Sequence, residues 1–188
     1  MRIPISAAIS IPVIETPRLR LRAHRYDDLP HCVAMWADPN VTRFIGGRAS
    51  TERQTWTRLL SYLGHWALMG FGYWVIEEKA SADFIGEVGF ADFKRDVAPP
   101  MKGKPELGFA LAVPFHGKGY ATEAVRAALT WADAHLAYPA TVCMINPQNL
   151  ASLGVAQKCG YEVFERGLYN EQPVLFLSRG VEQRPSGA

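Results

Sequence analysis

The sequence predicts a single domain of the mixed α/β class, and two observations lead to this prediction. A strand pattern at 106–113 is followed by a helical stripe at 120–136 and by another strand pattern at 140–146. Two strands joined through one helix form a parallel pair with a right-handed crossover. The chain has 188 residues, 48% of them hydrophobic and 20% charged, which suits one ordinary domain with a substantial core.

The chain is expected to begin with a strand and a short helix. Leucines alternate with arginines over 18–24, which predicts a half-buried strand. Asp27 or Asp28 is expected to cap the helix that follows, because Pro30 then falls in its first turn. The sequence Asp-Pro-Asn at 38–40 is expected to end that helix.

A second helix and two strands follow. Thr51 and Gln54 have the spacing of a capping box. Apolar side chains then recur at helical spacing, at Trp56, Leu59, Leu60 and Leu63. The segments 70–78 and 84–93 predict two strands joined by a loop, and the Pro- and Gly-rich segment 97–105 predicts a longer loop.

The strand predicted at 106–113 has two unlike faces. Its odd positions are bulky and predict packing against a core; they are Leu107, Phe109, Leu111 and Val113. Beyond Glu106, its even positions are small, and we call Gly108, Ala110 and Ala112 the small-residue face. A face of this kind suits the close approach of a helix or a ligand.

The last third of the chain alternates helices and strands. The helix from 120 carries a regular apolar stripe, made by Ala121, Ala124, Val125, Ala128, Leu129, Ala132 and Leu136. A strand is predicted at 140–146. The next helix is capped by Asn149 and stopped by Gly160. The segments 161–169 and 172–180 predict a final hairpin.

The composition argues against several classes of protein, and the two ends of the chain are expected to lie outside the folded domain. We expect a flexible segment at 1–13, one domain at 14–180 and a disordered tail at 181–188. A net charge of +2 without a basic aromatic run predicts no nucleic-acid partner. The apolar stretches are too short to cross a membrane, and the first residues lack the pattern of a signal peptide.

The cysteines predict neither a metal site nor a disulfide. They are Cys32, Cys143 and Cys159, an odd number with no pair close in sequence. Reduced, packed thiols in a cytoplasmic protein are the simplest interpretation.

The segment 116–122, His-Gly-Lys-Gly-Tyr-Ala-Thr, has the features of an anion-binding loop. It opens a long helix, whose first amides have no internal partner and carry partial positive charge. Small residues let an anion approach those amides, and Lys118 adds a formal charge. The spacing fits neither a P-loop nor a dinucleotide fingerprint. A plain strand-to-helix turn is the alternative interpretation.

The pattern around this loop resembles the GCN5-related N-acetyltransferase (GNAT) superfamily, in its ribosomal-protein N-terminal acetyltransferase branch. His116, Gly119 and Ala121 stand at the positions of its Gln/Arg-x-x-Gly-x-Gly/Ala signature. Further similarity lies at 14–29 and at 146–162, in the right order. The resemblance implies the acyl-CoA N-acyltransferase fold, a central mixed sheet of about six to seven strands flanked by about four helices. Its fourth and fifth strands, here 106–113 and 140–146, splay apart in that family.

The resemblance also implies acetyl-coenzyme A (acetyl-CoA) as a co-substrate, with no metal. Its pyrophosphate would bind the loop amides, contributed by Gly117, Lys118, Gly119, Tyr120, Ala121 and Thr122. The main chain of Leu111 and Val113 would bind the pantetheine arm, for which the small-residue face leaves room. Asn149 and Ser152 match the family's Asn-x-x-Ser/Ala positions, which face the coenzyme. The alternative for Leu111 and Val113 is plain core packing. Asn149 is otherwise explained as an N-cap, and Ser152 as a solvent-facing serine.

Acetyl transfer to an amine needs a base, an oxyanion donor and a proton for the leaving thiolate. Glu106 is the candidate base and Glu87 the runner-up, although either is also explained as an ordinary structural glutamate. The oxyanion donor would be a main-chain N–H near Ala112 or Val113. The tyrosine that serves many family members as the acid is replaced here by Ala156. Ser152 is the substitute, and His116 is expected to position the loop.

The resemblance therefore implies an N-acetyltransferase that works by direct attack in a ternary complex, and we expect a monomer or homodimer. A protein N-terminal amine is the first candidate acceptor. A small-molecule amine is the second, and a non-catalytic acyl-CoA-binding module is an alternative of another class. Five aromatic residues are candidates for an acceptor pocket or for the core: Trp56, Tyr62, Trp66, Tyr73 and Trp74.

Overall fold

The computed structural model describes residues 10–180, so the predictions for residues 1–9 and for the tail at 181–188 lie outside the described part. Five α-helices are present: α1 Leu29–Ala37, α2 Pro39–Thr42, α3 Glu52–Met69, α4 Tyr120–His135 and α5 Leu150–Lys158. Eight strands are present: β1 Ile14–Glu15, β2 Leu19–Arg22, β3 Tyr73–Glu78, β4 Phe84–Ala91, β5 Glu106–Leu111, β6 Ala140–Ile145, β7 Glu162–Tyr169 and β8 Gln172–Gly180.

The strands form one mixed sheet in the order β1-β2-β3-β4-β5-β6-β8-β7. All neighbours are antiparallel except β5 and β6, which are parallel and joined through α4. The predicted mixed α/β class and the parallel pair are confirmed. The strand number exceeds the expected six to seven because the two-residue β1 pairs with β2.

The start of β5 is the point where the sheet begins to open. Glu106 and Val142 are the one register pair between β5 and β6 among the described residues. Both strands continue beyond that pair without further pairing, so they diverge towards the end of β5. The predicted splay is confirmed, and we call the region between the diverging ends of β5 and β6, next to the loop that precedes α4, the cleft.

Asp28 is the N-cap residue of α1 and α1 ends before 38–40, as predicted, but two details of these helix ends differ from the prediction. Asp28 does not cap α1 with its side chain; it accepts the Arg25 amide N–H at 2.6 Å and pairs with Arg22 at 2.8 Å. The segment 38–40 both ends α1 and starts α2, because Pro39 suits the first helical turn while the Asp38 side chain accepts the Asn40 amide. By contrast, the predicted capping box of α3 is confirmed.

The two faces of β5 pack against different helices. Leu107 and Leu111 belong to the main core with the stripe of α4. Ala110 faces the other way, as expected for a neighbour in a strand, and packs with Cys32 and Trp36 of α1. A Cβ on Gly108 would lie 1.9 Å from the Tyr73 hydroxyl. Protein side chains therefore cover the small-residue face, so it does not provide the predicted room for the pantetheine arm.

Candidate active site

The loop at 116–122 presents a set of free main-chain donors. Gly117 and Gly119 have φ of +74° and +79°, a conformation that favours glycine. Gly119 is the N-cap of α4 and no side chain caps the helix. Glu123 is the first residue whose amide bonds within the helix, to Gly119 O at 3.2 Å. Within residues 10–180, the amides of 117–122 have no protein acceptor.

Arg18 lies against this loop, although sequence reasoning assigned it no role. Its Nη1 donates to the Lys118 carbonyl at 3.0 Å, and its guanidinium lies 4.5 Å from the centroid of the Tyr120 ring. Its Nη2 would be 3.5 Å from a Cβ on Gly119. A second cation therefore stands beside the free amides. The contact joins residues 100 positions apart, so no local pattern signals it.

Glu123 orients Arg18. Its Oε2 accepts from Arg18 Nε at 2.6 Å, while its Oε1 accepts from the Thr16 hydroxyl and from the Arg18 amide. Burial raises the pKa of Glu123, but the hydrogen bonds from Thr16 and Arg18 outweigh burial, and the pKa lies below its ordinary value. The carboxylate therefore stays charged at neutral pH and holds the guanidinium at the loop.

Replacing Arg18 by glutamine is expected to weaken acetyl-CoA binding about tenfold, or about 1.4 kcal/mol. The side chain is partly exposed, so the loss of one charge is screened. Titration calorimetry measures the affinity. The matched control is Arg20→Gln, two residues further along the chain in β2, where the arginine pairs with Glu15 and Glu77 instead. An equal affinity for wild type and the Arg18 variant would show that the cation does not serve the loop.

The end of β5 differs from the prediction. The strand stops at Leu111, and Val113 begins a 3-10 turn because Pro114 cannot continue a ladder. Ala112 donates its amide N–H to Ile85 O at 2.9 Å, on the β4 side. Main-chain groups alternate along a strand, so those of Leu111 point away from β4, whereas Val113 lies beyond the strand and its carbonyl accepts the His116 amide at 3.1 Å. The Ala112 amide is occupied, which leaves Val113 as the candidate oxyanion donor.

His116 connects the loop to the end of β5. Its Nε2 lies 2.8 Å from the Leu111 carbonyl oxygen, while the Leu111 side chain is buried in the main core. This geometry fits the positioning role expected for His116. The Leu111 carbonyl that His116 contacts is one of the groups expected to bind the coenzyme, and it lies two residues before the 3-10 turn.

Asn149 and Ser152 lie in the first turn of α5. The Asn149 side chain accepts the Ser152 amide N–H at 3.1 Å, so the alternative reading of Asn149 as an N-cap is confirmed. Ser152 is half-buried, and within the described residues its hydroxyl has no hydrogen-bond partner. The hydroxyl is therefore free to serve a ligand.

Glu106 is the first residue of β5 and is buried where β5 and β6 meet. Arg95 Nε donates to both of its oxygens, at 3.1 and 2.9 Å. The Tyr73 hydroxyl lies over the neighbouring Gly108. Burial raises the pKa of Tyr73, and the Glu106 charge adds to that shift, so this hydroxyl keeps its proton.

Glu87, the runner-up base, is enclosed inside the protein. It is 0% exposed, and its oxygens contact His24 Nε2 at 3.2 Å, Trp36 Nε1 at 2.9 Å and the Tyr62 hydroxyl at 3.3 Å. Cys32 is the third member of a potential ligand group with His24 and Glu87, but these donors already occupy the carboxylate. A bound amine does not reach Glu87 in this geometry, and the residue fits a structural role.

Glu87→Gln is expected to destabilise the protein by about 2–3 kcal/mol at pH 7, because an amide satisfies fewer of the buried donors. Burial raises the pKa of Glu87, but hydrogen bonds, first from His24, lower it overall. The carboxylate therefore stabilises the fold above about pH 4.3, and this contribution is lost as the pH falls below its folded pKa. Urea unfolding at pH 7 and pH 3.5 measures both effects, with the exposed Glu165→Gln as control. Equal unfolding midpoints for Glu87→Gln and wild type at pH 7 would contradict this role.

The candidate aromatic residues divide between core and site. Trp66 and Trp74 are buried in the main core, which confirms the core alternative for them. Trp56 is 37% exposed and contacts Tyr26 edge-on. Tyr62 and Tyr73 are buried and stacked, with centroids 4.1 Å apart. The pair lies between Glu87, which Tyr62 contacts, and Gly108, which Tyr73 covers.

The three cysteines are free and buried, as predicted. No helix in residues 10–180 is long and apolar enough to cross a membrane.

Comparisons with known proteins place the chain in a family. A family model for the acetyltransferase (GNAT) domain matches residues 18–162. YkkB of Bacillus subtilis (strain 168), an uncharacterized protein, is 28% identical over 173 residues, covering 82% of this chain and 95% of YkkB. FsC-acetyl coenzyme A-N(2)-transacetylase of Aspergillus fumigatus is 27% identical over 154 residues, covering 79% of this chain and 64% of that enzyme.

A solved structure gives the same result for the fold. The crystal structure of the acetyltransferase from Agrobacterium tumefaciens str. C58 aligns with a TM-score of 0.78 and 29% identity, over 90% of this chain and 94% of that one. The resemblance drawn from the sequence blocks is thereby confirmed. The chain belongs to the GNAT acetyltransferase family, and it is an acetyl-CoA-dependent N-acetyltransferase.

Proposed function

We propose that residues 14–180 transfer the acetyl group of acetyl-CoA to a primary amine by direct attack in a ternary complex. The observation that carries this proposal is the row of free amides at 117–122, described among residues 10–180, beside Arg18. Family membership favours an enzyme over a non-catalytic coenzyme-binding module.

The anion-binding loop fits a diphosphate. A Cβ on Gly117 would meet nothing within 4 Å, so the loop leaves open space above its amides. Lys118 and Arg18 supply positive charge there, in addition to the partial charge of the helix terminus. A surface groove of about 990 Å³ continues along α4 from Gly119 past Arg126, where the rest of the nucleotide would lie.

The residues of the cleft supply the remaining functions. Acetyl-CoA provides the acetyl group as a thioester, and the main chain of Leu111 and Val113 would hold its peptide-like arm. Glu106 would take the proton of the ammonium directly or through water, freeing the nitrogen to attack. The Val113 amide would stabilise charge on the carbonyl oxygen. Ser152 would donate a hydrogen bond to the departing sulfur, whose thiol has a reference pKa near ~8.5.

Two acceptor classes are supported by different observations. The sequence blocks similar to the ribosomal-protein branch favour a protein N-terminal amine. The relative FsC-acetyl coenzyme A-N(2)-transacetylase is named for transfer to a nitrogen numbered N(2), and on that ground we keep a small-molecule amine as the second acceptor class.

The experiment that tests this function follows thiol release from acetyl-CoA with N-terminal peptides and with free amines. We expect acceptor-dependent release and intersecting initial-rate lines, because both substrates must be bound together. Parallel lines with a labelled acetyl-protein would contradict direct attack. Coenzyme binding without transfer to any amine in the panel would contradict the enzymatic proposal.

A further inference from the structure

The guanidinium of Arg95 is held rigidly over the candidate base. Its Nε contacts both oxygens of Glu106, and its Nη1 donates to the Tyr169 hydroxyl at 2.9 Å. The rings of Phe93 and Tyr169 lie 4.7 and 4.9 Å from its central carbon. Three separate parts of the chain thus fix one cation: the β4–β5 loop, the start of β5 and the final hairpin.

One nitrogen of this cation is left without a partner. Within residues 10–180, Arg95 Nη2 has no hydrogen-bond acceptor, although the side chain is only 21% exposed. Arginine has five N–H donors in a planar fork that matches a carboxylate. The contacts with Glu106, with the Tyr169 hydroxyl and with the rings of Phe93 and Tyr169 hold the guanidinium in place. Its free nitrogen is therefore preorganised to bind an anion. We propose that Arg95 binds a carboxylate of the acceptor, so that the acceptor is an α-amino acid or a small derivative with its carboxylate free.

The position of the free nitrogen sets the distance between the two recognised groups. Nε and Nη2 are adjacent on one edge of a guanidinium. A carboxylate on Nη2 therefore lies next to the Glu106 oxygens, which contact Nε. In an α-amino acid one carbon separates the ammonium from the carboxylate. Such a molecule can place its ammonium on Glu106 and its carboxylate on Arg95 Nη2. A peptide N-terminus offers only a neutral carbonyl at that point.

The surrounding charges accept an anion. The segment 92–105 carries Lys94, Arg95, Lys102 and Lys104 against two aspartates. Lys94 and Lys102 pair with those aspartates, and Glu106 balances Arg95. The region is therefore slightly basic, and an incoming carboxylate is not repelled. A polyamine would find no acidic cluster here.

The inference rests on the proposed transferase function, and the test separates the two. Free L-amino acids are compared with their carboxamides and with dipeptides of the same first residue, as acceptors for the full chain with acetyl-CoA. The expected kcat/KM for the free acid is about 10- to 100-fold above that for its carboxamide, the effect of one charged hydrogen-bonded pair. Arg95→Gln is expected to remove this preference, because it removes the charge. Tyr169→Phe is expected to reduce the preference severalfold, because Arg95 keeps its charge but loses the hydrogen bond that fixes Nη1.

The ratio of acid to carboxamide is the decisive readout, since loss of support for Glu106 lowers kcat for both acceptors alike. Acetyl-CoA affinity is expected to stay unchanged in both variants. Equal kcat/KM for acid and carboxamide in the wild type, or a preference for dipeptides, would overturn the carboxylate site while leaving the transferase intact. Absence of transfer to every acceptor would overturn both proposals.

Discussion

Gly119→Glu is expected to lower the affinity for acetyl-CoA at least about 100-fold while the protein remains folded. The new carboxylate would stand among the amides proposed to bind the diphosphate, and it would repel like charge. At an effective dielectric constant of 20, two unit charges 4 Å apart interact by about 4 kcal/mol. The same carboxylate would reach Arg18, whose Nη2 lies 3.5 Å from the Cβ position, and would neutralise it.

The control for this variant must carry the same backbone strain. A side chain at positive φ costs about 1–2 kcal/mol of stability wherever it occurs. Gly103 has the same φ of +79° with nothing within 4 Å of its Cβ position. Gly103→Glu therefore reproduces the strain and the charge in a separate loop, between β4 and β5. Calorimetry is expected to find wild-type affinity for Gly103→Glu, and undiminished binding by Gly119→Glu would remove the loop from the account.

Glu106→Gln is expected to reduce kcat/KM at pH 7 by about 10²- to 10⁴-fold, the range for losing one general base. Glutamine keeps the size of the side chain and one acceptor for Arg95, so the site should remain assembled. The deficit is expected to shrink as the pH approaches the pKa of the acceptor amine, because the amine then loses its proton unaided.

A pH series of initial rates measures that deficit. Glu162→Gln, an exposed glutamate at the start of β7, controls for the loss of one negative charge. A constant ratio of wild-type to Glu106→Gln rates across the pH range would indicate a positioning function for the carboxylate. It would exclude Glu106 as the base.

The sequence predicted the elements whose signals are local. The capping box of α3, the stripe of α4 and the hairpin of β7 and β8 each depend on residues close in the chain. The two-residue β1 and the four-residue α2 were missed because they are too short to show a period. The side-chain cap expected from Asp28 failed because Arg22 and the Arg25 amide claim its carboxylate.

The residues of the candidate site also divide into those with a local signal in the sequence and those without one. The loop at 116–122 was predictable because glycines before a helix carry their own signature. Arg18 and Arg95 were not, since each reaches its partners from a distant segment or from a loop without a motif. Tyr73 fills the face that looked empty, because a bare strand face in a sequence does not show what the neighbouring elements place on it.

Acetyl transfer by this chain depends, in our proposal, on the free main-chain amides at 117–122, which would bind the diphosphate of acetyl-CoA. A crystal structure of the acetyl-CoA complex tests it most directly. We expect phosphate oxygens about 3 Å from several of these amide nitrogens, with Arg18 beside them. Coenzyme bound elsewhere, or these amides occupied by carbonyls of the protein, would contradict it.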